Sequence, residues 1–211
     1  MDNHNDNYYD IKNEVYIGKA KAIKLKTLNE IARAIVKIII TFKNEIFCGT
    51  GFFMEFPKNK IINCLISNEH IISEEIIDSR IPITIELENK KQYIMKLDKR
   101  FIKSFKSPID ITLIEVLDCD LFKKEVKFLK IDFNYLHGYK EYIGKNVFIL
   151  QHMKGDDTQC SIGKIIGTKN FEFEHNVDTD LGSSGSPVIL IENLNVIGIH
   201  KGGSKNRKVN C

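Results

Sequence analysis

From residue 34 onward the chain is written in short apolar runs separated by polar turns. Ala34-Ile35-Val36-Lys37-Ile38-Ile39-Ile40-Thr41-Phe42 is β-branched almost throughout, interrupted by Lys37 and too short to span a bilayer, so it predicts a strand over 34–42. Residues 52–56 and 61–67 flank a polar turn holding Pro57, Lys58 and Asn59, which predicts a hairpin. The alternating stretches 83–87 and 92–97, parted by Glu88-Asn89-Lys90-Lys91, predict a second hairpin, and a further apolar run opens at Asp110 and continues to Val116. Strand-like runs resume at 146–151, 159–166, 170–174, 187–191 and 195–200. Between the two sets lies 118–142, where Lys123, Lys124, Lys127 and Lys130 are mixed with aromatics, as in a connector running over a surface. Helix is expected in two short places: a turn at 30–33 capped by Asn29, and a piece over 71–77. No repeat, heptad or phosphate loop is present. Two sets of short strands joined by a linker predict an all-β chain of two packed barrels. The expected division is a loose extension over 1–30, a first barrel over 31–120, a connector over 121–142 and a second barrel over 143–211.

Composition narrows this picture without changing it. With 211 residues, 43% of them hydrophobic, the chain has enough apolar material for a real core, and disorder throughout is excluded. A formal charge of +3 calls for neither a nucleic-acid nor a membrane partner, and the lysine-aromatic mixture of the connector carries no recognisable RNA-binding module. Cys48, Cys64, Cys119, Cys160 and Cys211 are odd in number, widely spaced and without a C-x-x-C pair, so neither a zinc site nor a disulfide framework is expected, and no cofactor is. The first residues, Met1-Asp2-Asn3-His4-Asn5-Asp6-Asn7, are polar and show no apolar segment ahead of a cleavage site. The expected location is a reducing intracellular compartment such as the cytoplasm, although a fragment processed from a larger precursor shares these features.

The chemistry concentrates in Gly182-Ser183-Ser184-Gly185-Ser186-Pro187, a serine between glycines with a proline closing the turn and an apolar strand behind it. Glycine admits backbone angles that let the N–H groups of Gly182 and Ser184 converge on one point, as a developing oxyanion requires. By itself such a segment is an ordinary turn. Upstream, however, His70 follows the apolar run 61–66 and Asp110 opens another, so a base, an orienting carboxylate and a nucleophile stand in the order of a His-Asp-Ser triad. Asp118 and Asp120 lie past the second run rather than at its start, and His4, His137, His152 and His175 lack the strand-then-turn setting.

Cys48-Gly49-Thr50-Gly51-Phe52-Phe53, Ile66-Ser67-Asn68-Glu69-His70, Pro108-Ile109-Asp110-Ile111-Thr112-Leu113, Ile149-Leu150-Gln151-His152, Gly182 to Pro187 and Gly198-Ile199-His200 together resemble the chymotrypsin-fold serine peptidases, and within them the V8-like glutamyl endopeptidases most closely. The resemblance runs over about 31–203, and its weight comes from several short motifs in one order. It implies two packed six-stranded antiparallel β-barrels, an active site in the cleft between them, no cofactor, and protein or peptide substrates. Residues 201–211 are all that follow His200, which implies a second barrel cut short at its C-terminal end. Ser183 stands where trypsin-like relatives place an aspartate that pairs with a newly released amino terminus, so the nucleophile loop is expected to take shape without such cleavage.

In V8-like enzymes and similar viral proteases a threonine and a histidine recognise glutamate or glutamine before the scissile bond. The resemblance carries those roles to Thr179 and His200, with Gly202 beside them in the substrate-binding wall. A competing reading makes Asp178 the floor of a pocket for lysine or arginine. A different class of reading is an inactive, protease-like module that binds extended peptides in the same cleft by strand addition.

Overall fold

In the computed structural model, which describes residues 22–56, 61–204 and 209–211, the β-branched run becomes β1 (Ile35–Phe42). It pairs on one side with β2 (Glu45–Phe56) and on the other with β4 (Ile83–Leu87). β3 (Ile62–Ser67), β5 (Gln92–Met95), β6 (Ile102–Phe105) and β7 (Ile111–Glu115) complete an antiparallel order β5-β4-β1-β2-β3-β7-β6. A two-residue strand from the connector, β8 (Leu129–Lys130), joins β2 in parallel and brings this sheet to eight strands. The second sheet is seven-stranded: β9 (Asn146–Gln151), β10 (Gln159–Lys169), β11 (Glu172–His175), β12 (Pro187–Leu190), β13 (Val196–Ile199), β14 (Gly203–Ser204) and β15 (Val209–Asn210), in the order β13-β12-β9-β10-β11-β15-β14. This is the chymotrypsin-like all-β fold, with more strands in each sheet than the six expected.

Period-two alternation explains why the two sheets pack on one another. On β1 and β2, Val36, Ile38, Ile40 and Phe53 point into a core of the first half, while Ile35, Phe52 and Met54 point the other way. On β9 and β12, Val147, Ile149, Val188 and Leu190 fill a core of the second half, while Phe148, Leu150 and Ile189 turn outward from it. The outward sets meet in a third core that belongs to both halves. Each such side chain, when fully buried, contributes on the order of 1.5–3 kcal/mol, so the junction is itself a hydrophobic core.

Several boundaries differ from those read in the sequence. The turn expected at 30–33 is the end of α1 (Leu25–Ala32), whose N-cap residue, Lys24, makes no side-chain capping bond. Leu28, Ile31 and Ala32, at helical spacing, pack on the shared core, and that contact rather than Asn29 places the helix. Part of the supposed loose extension is therefore helical, and residues 1–21 lie outside the described residues. The piece expected over 71–77 is α2 (Glu74–Ser79), displaced because the Ser73 hydroxyl accepts the Ile76 N–H at 3.3 Å and caps it there. The turn at Pro57, Lys58 and Asn59 lies outside the described residues, as do Arg207 and Lys208. Beyond them, Val209 and Asn210 pair with β14 and Asn210 also pairs with β11, so the short tail does supply a strand to the second sheet. Among the described residues no helix is long and apolar enough to cross a membrane.

Candidate active site

β3 ends at Ser67, and the chain turns immediately: the Asn68 carbonyl accepts the Ile71 and Ile72 N–H groups at 3.2 and 3.1 Å. That turn projects His70 from the end of the strand. Asp110 lies at the start of β7 with φ +58°, a left-handed conformation that aspartate tolerates better than most residues. The two meet twice. The His70 backbone N–H donates to Asp110 Oδ1 at 2.9 Å, and the His70 ring places Nδ1 2.7 Å from Oδ2. Asn68 Nδ2 donates to the Asp110 carbonyl at 2.9 Å and closes the corner. Asp110 is 5% exposed whereas the His70 side chain is 44% exposed, so a buried acceptor holds a ring whose far edge faces outward. An ionised carboxylate only accepts, so Nδ1 carries the proton, and in the neutral ring Nε2 keeps a lone pair. The rival aspartates are committed elsewhere: Asp120 to the buried Arg100 and the Leu117 N–H, Asp118 to Lys123 at the surface.

The loop carrying Ser184 is built by local bonds around Ser183. Its buried hydroxyl accepts the Asp180 N–H at 3.0 Å, its N–H donates to the Asp180 carbonyl at 3.0 Å, and its carbonyl accepts the Ser186 N–H and hydroxyl at 3.1 and 2.6 Å. Gly182 and Gly185 both have φ +88°. A Cβ on Gly182 would stand 2.4 Å from the His152 carbonyl, and one on Gly185 would stand 2.0 Å from the Thr50 carbonyl, so no side chain fits at either position. Ser183, Gly185 and Ser186 all donate their N–H groups within the fold. Among the described residues those of Gly182 and Ser184 donate to nothing. The Ser184 hydroxyl donates to the Lys201 carbonyl at 3.4 Å, with no hydrogen bond to His70 among the described residues. Catalytic hydrogen bonds are often long in ligand-free sites and tighten when substrate arrives.

Of the pocket candidates, His200 is 3% exposed and faces His175, which is fully buried, with His175 Nε2 3.3 Å from His200 Nδ1. Burial pushes the His175 imidazole down to about 4. Burial, reinforced by His175, pushes His200 down to about 3, so both rings are neutral near pH 7. Their tautomers follow from one backbone bond. The Val177 N–H donates to His175 Nδ1 at 3.3 Å, so His175 carries its proton on Nε2 and gives it to His200 Nδ1, leaving His200 protonated on Nε2. Thr179 is half-buried, while Asp178 is exposed, with its carbonyl accepting from Gln151 Nε2 at 2.9 Å, and so does not floor a closed pocket. The Gly202 N–H and carbonyl are both engaged by Cys211, and its Cα faces open space. Lys201 reaches the first half through the Pro108 carbonyl at 2.9 Å and pairs with Glu172 of its own half at 2.8 Å, beside a recess of about 370 Å³ lined also by Asn68, Ile109 and His175. No spacing rule in the sequence links His175 on β11 to His200, which follows β13. Among the described residues no group of three or more His, Cys, Asp or Glu gathers as metal ligands would.

No protein-family model matches this sequence, and no curated protein sequence does. Solved structures do. The serine endoprotease of Yersinia pestis superposes with a TM-score of 0.63 at 14% identity, over 86% of this chain and 58% of that one, so the present chain spans little more than half of it. A serine-to-alanine mutant of Rv3671c from M. tuberculosis H37Rv, in an inactive form, superposes at 0.58 with 15% identity, over 90% of this chain and 88% of its own. The Rv3671c protease in an inactive form gives 0.58 at 15% identity, over 89% and 88%. At such identities, what these structures share with the present chain is the fold of a serine endoprotease.

Proposed function

We propose that this chain is a serine endopeptidase acting through a covalent acyl-enzyme. His70 and Asp110 come from the first barrel, over 31–120, and Ser184 from the second, over 143–211. The observation that carries this reading is the pairing of an Asp110-fixed imidazole with a loop in which, of the amides from 182 to 186, only those of Gly182 and Ser184 find no acceptor among the described residues. Ser184 Oγ attacks the scissile carbonyl, and His70 Nε2 takes its proton and returns it to the leaving amine. The two free amides receive the oxyanion. Protein or peptide substrates follow from that chemistry, as they do for the serine endoproteases of the same fold.

The test is covalent. A fluorophosphonate probe is expected to label Ser184 in the folded wild-type chain and not the Ser184→Ala variant. The second reading, an inactive module that binds extended peptides, is favoured by the Ser184 hydroxyl bonding to Lys201 rather than to His70. Silence of a folded wild-type sample supports that reading and sinks the peptidase.

For the residue before the cut we propose glutamate or glutamine, read by Thr179 and His200. A buried His200 that is neutral and protonated on one ring nitrogen is a donor, bonded to the Cys211 backbone in the ligand-free chain, and in exchanging that bond for a substrate it suits an amide or carboxylate oxygen and not a lysine or arginine head. A P1-varied peptide library is expected to rank glutamine and glutamate above lysine and arginine. Because His200 titrates near 3, that ranking should hold from pH 5 to 8 except for the substrate glutamate's own ionisation. A preference for basic P1 residues would move the pocket to Asp178 and remove this assignment.

A further inference from the structure

Thr50 lies on β2 in the first half, between Cys48 and Phe52, and is fully buried. Its side chain and its backbone both reach the nucleophile loop of the second half. Thr50 Oγ1 donates to the Gly182 carbonyl at 2.7 Å, and the Thr50 N–H donates to the Ser184 carbonyl at 2.9 Å. The His152 N–H donates to the same hydroxyl at 3.1 Å, which fills its acceptor side and directs its hydrogen at Gly182.

What this does becomes clear when each peptide of the loop is considered as a rigid plane whose carbonyl and N–H point in opposite directions. The plane bearing the Gly182 N–H is pinned through the Leu181 carbonyl by the Lys154 N–H at 2.5 Å. The plane bearing the Ser184 N–H is pinned through the Ser183 carbonyl by Ser186. Between them lies the 182–183 plane, and its carbonyl is held by the Thr50 hydroxyl from across the junction of the halves. The N–H end of that plane is held by the Asp180 carbonyl at 3.0 Å and a glycine precedes it, so without the hydroxyl the carbonyl end tilts about that one bond, which strains the planes on either side and shifts the N–H groups they carry.

We infer that Thr50 is a positioning residue for the oxyanion site, its hydroxyl fixing the 182–183 peptide so that the Gly182 and Ser184 amides converge. The inference rests on Ser184 being the nucleophile. It assigns Thr50 no contact with substrate, and its effect therefore belongs to the transition state, where the oxyanion forms, and not to substrate binding.

The experiment compares Thr50→Val, which keeps the shape and the backbone bond but removes the hydroxyl, with Thr50→Ser, which keeps the hydroxyl. A peptide ester or amide with glutamine before the cut is the substrate, and circular dichroism confirms that each sample is folded. Thr50→Val is expected to lower kcat by about 10- to 100-fold with KM within about twofold, a fraction of what loss of a whole oxyanion donor costs. Its affinity for a peptide boronate, which places an oxygen in the oxyanion site, falls in step, while affinity for the matching product peptide does not. Thr50→Ser keeps kcat within about threefold. If Thr50→Val does not fold, Thr50→Ala against Thr50→Ser reads the same hydroxyl. An active wild type with an unchanged hydroxyl-free variant overturns this inference alone, and so does equal loss in the serine variant. A folded wild type that neither labels with fluorophosphonate nor turns over removes the peptidase reading, and this inference with it.

Discussion

Ser184→Ala is expected to lower turnover by about 10⁶-fold while leaving the fold intact, the size of loss seen when the nucleophile of a catalytic triad is removed. The stability half of the expectation comes from the contacts. The Ser184 side chain makes one long hydrogen bond, 3.4 Å to the Lys201 carbonyl, and is only half-buried, so its hydroxyl contributes no more than about 1 kcal/mol. The bonds that shape the loop belong to its neighbours: the Ser183 and Ser186 hydroxyls are fully buried and hydrogen-bonded within the loop, and the Ser184 carbonyl is held by a backbone N–H that the substitution does not touch. Thermal melting and single-turnover acylation separate the two halves. Retention of more than a tenth of wild-type turnover would place the nucleophile on another side chain. A large drop in melting temperature would mark Ser184 as part of the scaffold.

The candidate site was legible to the extent that it is written in local settings. His70 could be singled out because it follows an apolar run at a turn, and Asp110 because it opens one, and the structure brings their side chains to 2.7 Å. The loop around Ser184 was legible because its glycines admit no side chain, a constraint that shows in the sequence as composition. His175 and Thr50 were not legible as site residues. Each acts across strands whose register is fixed only when the whole sheet forms: His175 reaches His200 from β11, and Thr50 meets Gly182 and Ser184 from the other half of the molecule. The fold was read on the same terms. β9 and β12 are apolar on both faces, because one face fills the second core and the other the junction, so they stood out as continuous runs. β6 was missed because Lys103, Ser104 and the exposed Phe105 leave it little burial pattern, and it is a strand through its pairing with β7. β8 is two residues long and is fixed only by its parallel pairing with β2.

Asp110→Asn is expected to lower kcat/KM by about 10⁴-fold at neutral pH with the fold retained, by forcing His70 into the wrong tautomer. The carboxylate accepts two N–H groups from the same residue, the His70 backbone N–H on Oδ1 and ring Nδ1 on Oδ2. An asparagine has one oxygen and one NH₂ to offer to that pair. If its oxygen faced the ring, its NH₂ would point at the backbone N–H, which cannot accept, and two buried donors would oppose each other. The opposite orientation satisfies both contacts: the oxygen accepts the backbone N–H, and the NH₂ donates to Nδ1. Nδ1 must then be unprotonated, the ring proton moves to Nε2, and the atom meant to take a proton from Ser184 already holds one. The substitution therefore preserves geometry and removes the base. Imidazole nitrogen chemical shifts of His70 report the tautomer directly, and fluorophosphonate labelling of Ser184 reports its consequence. Nδ1 still protonated in the variant, or turnover within tenfold of wild type, would show that the buried carboxylate is not what sets the state of the ring.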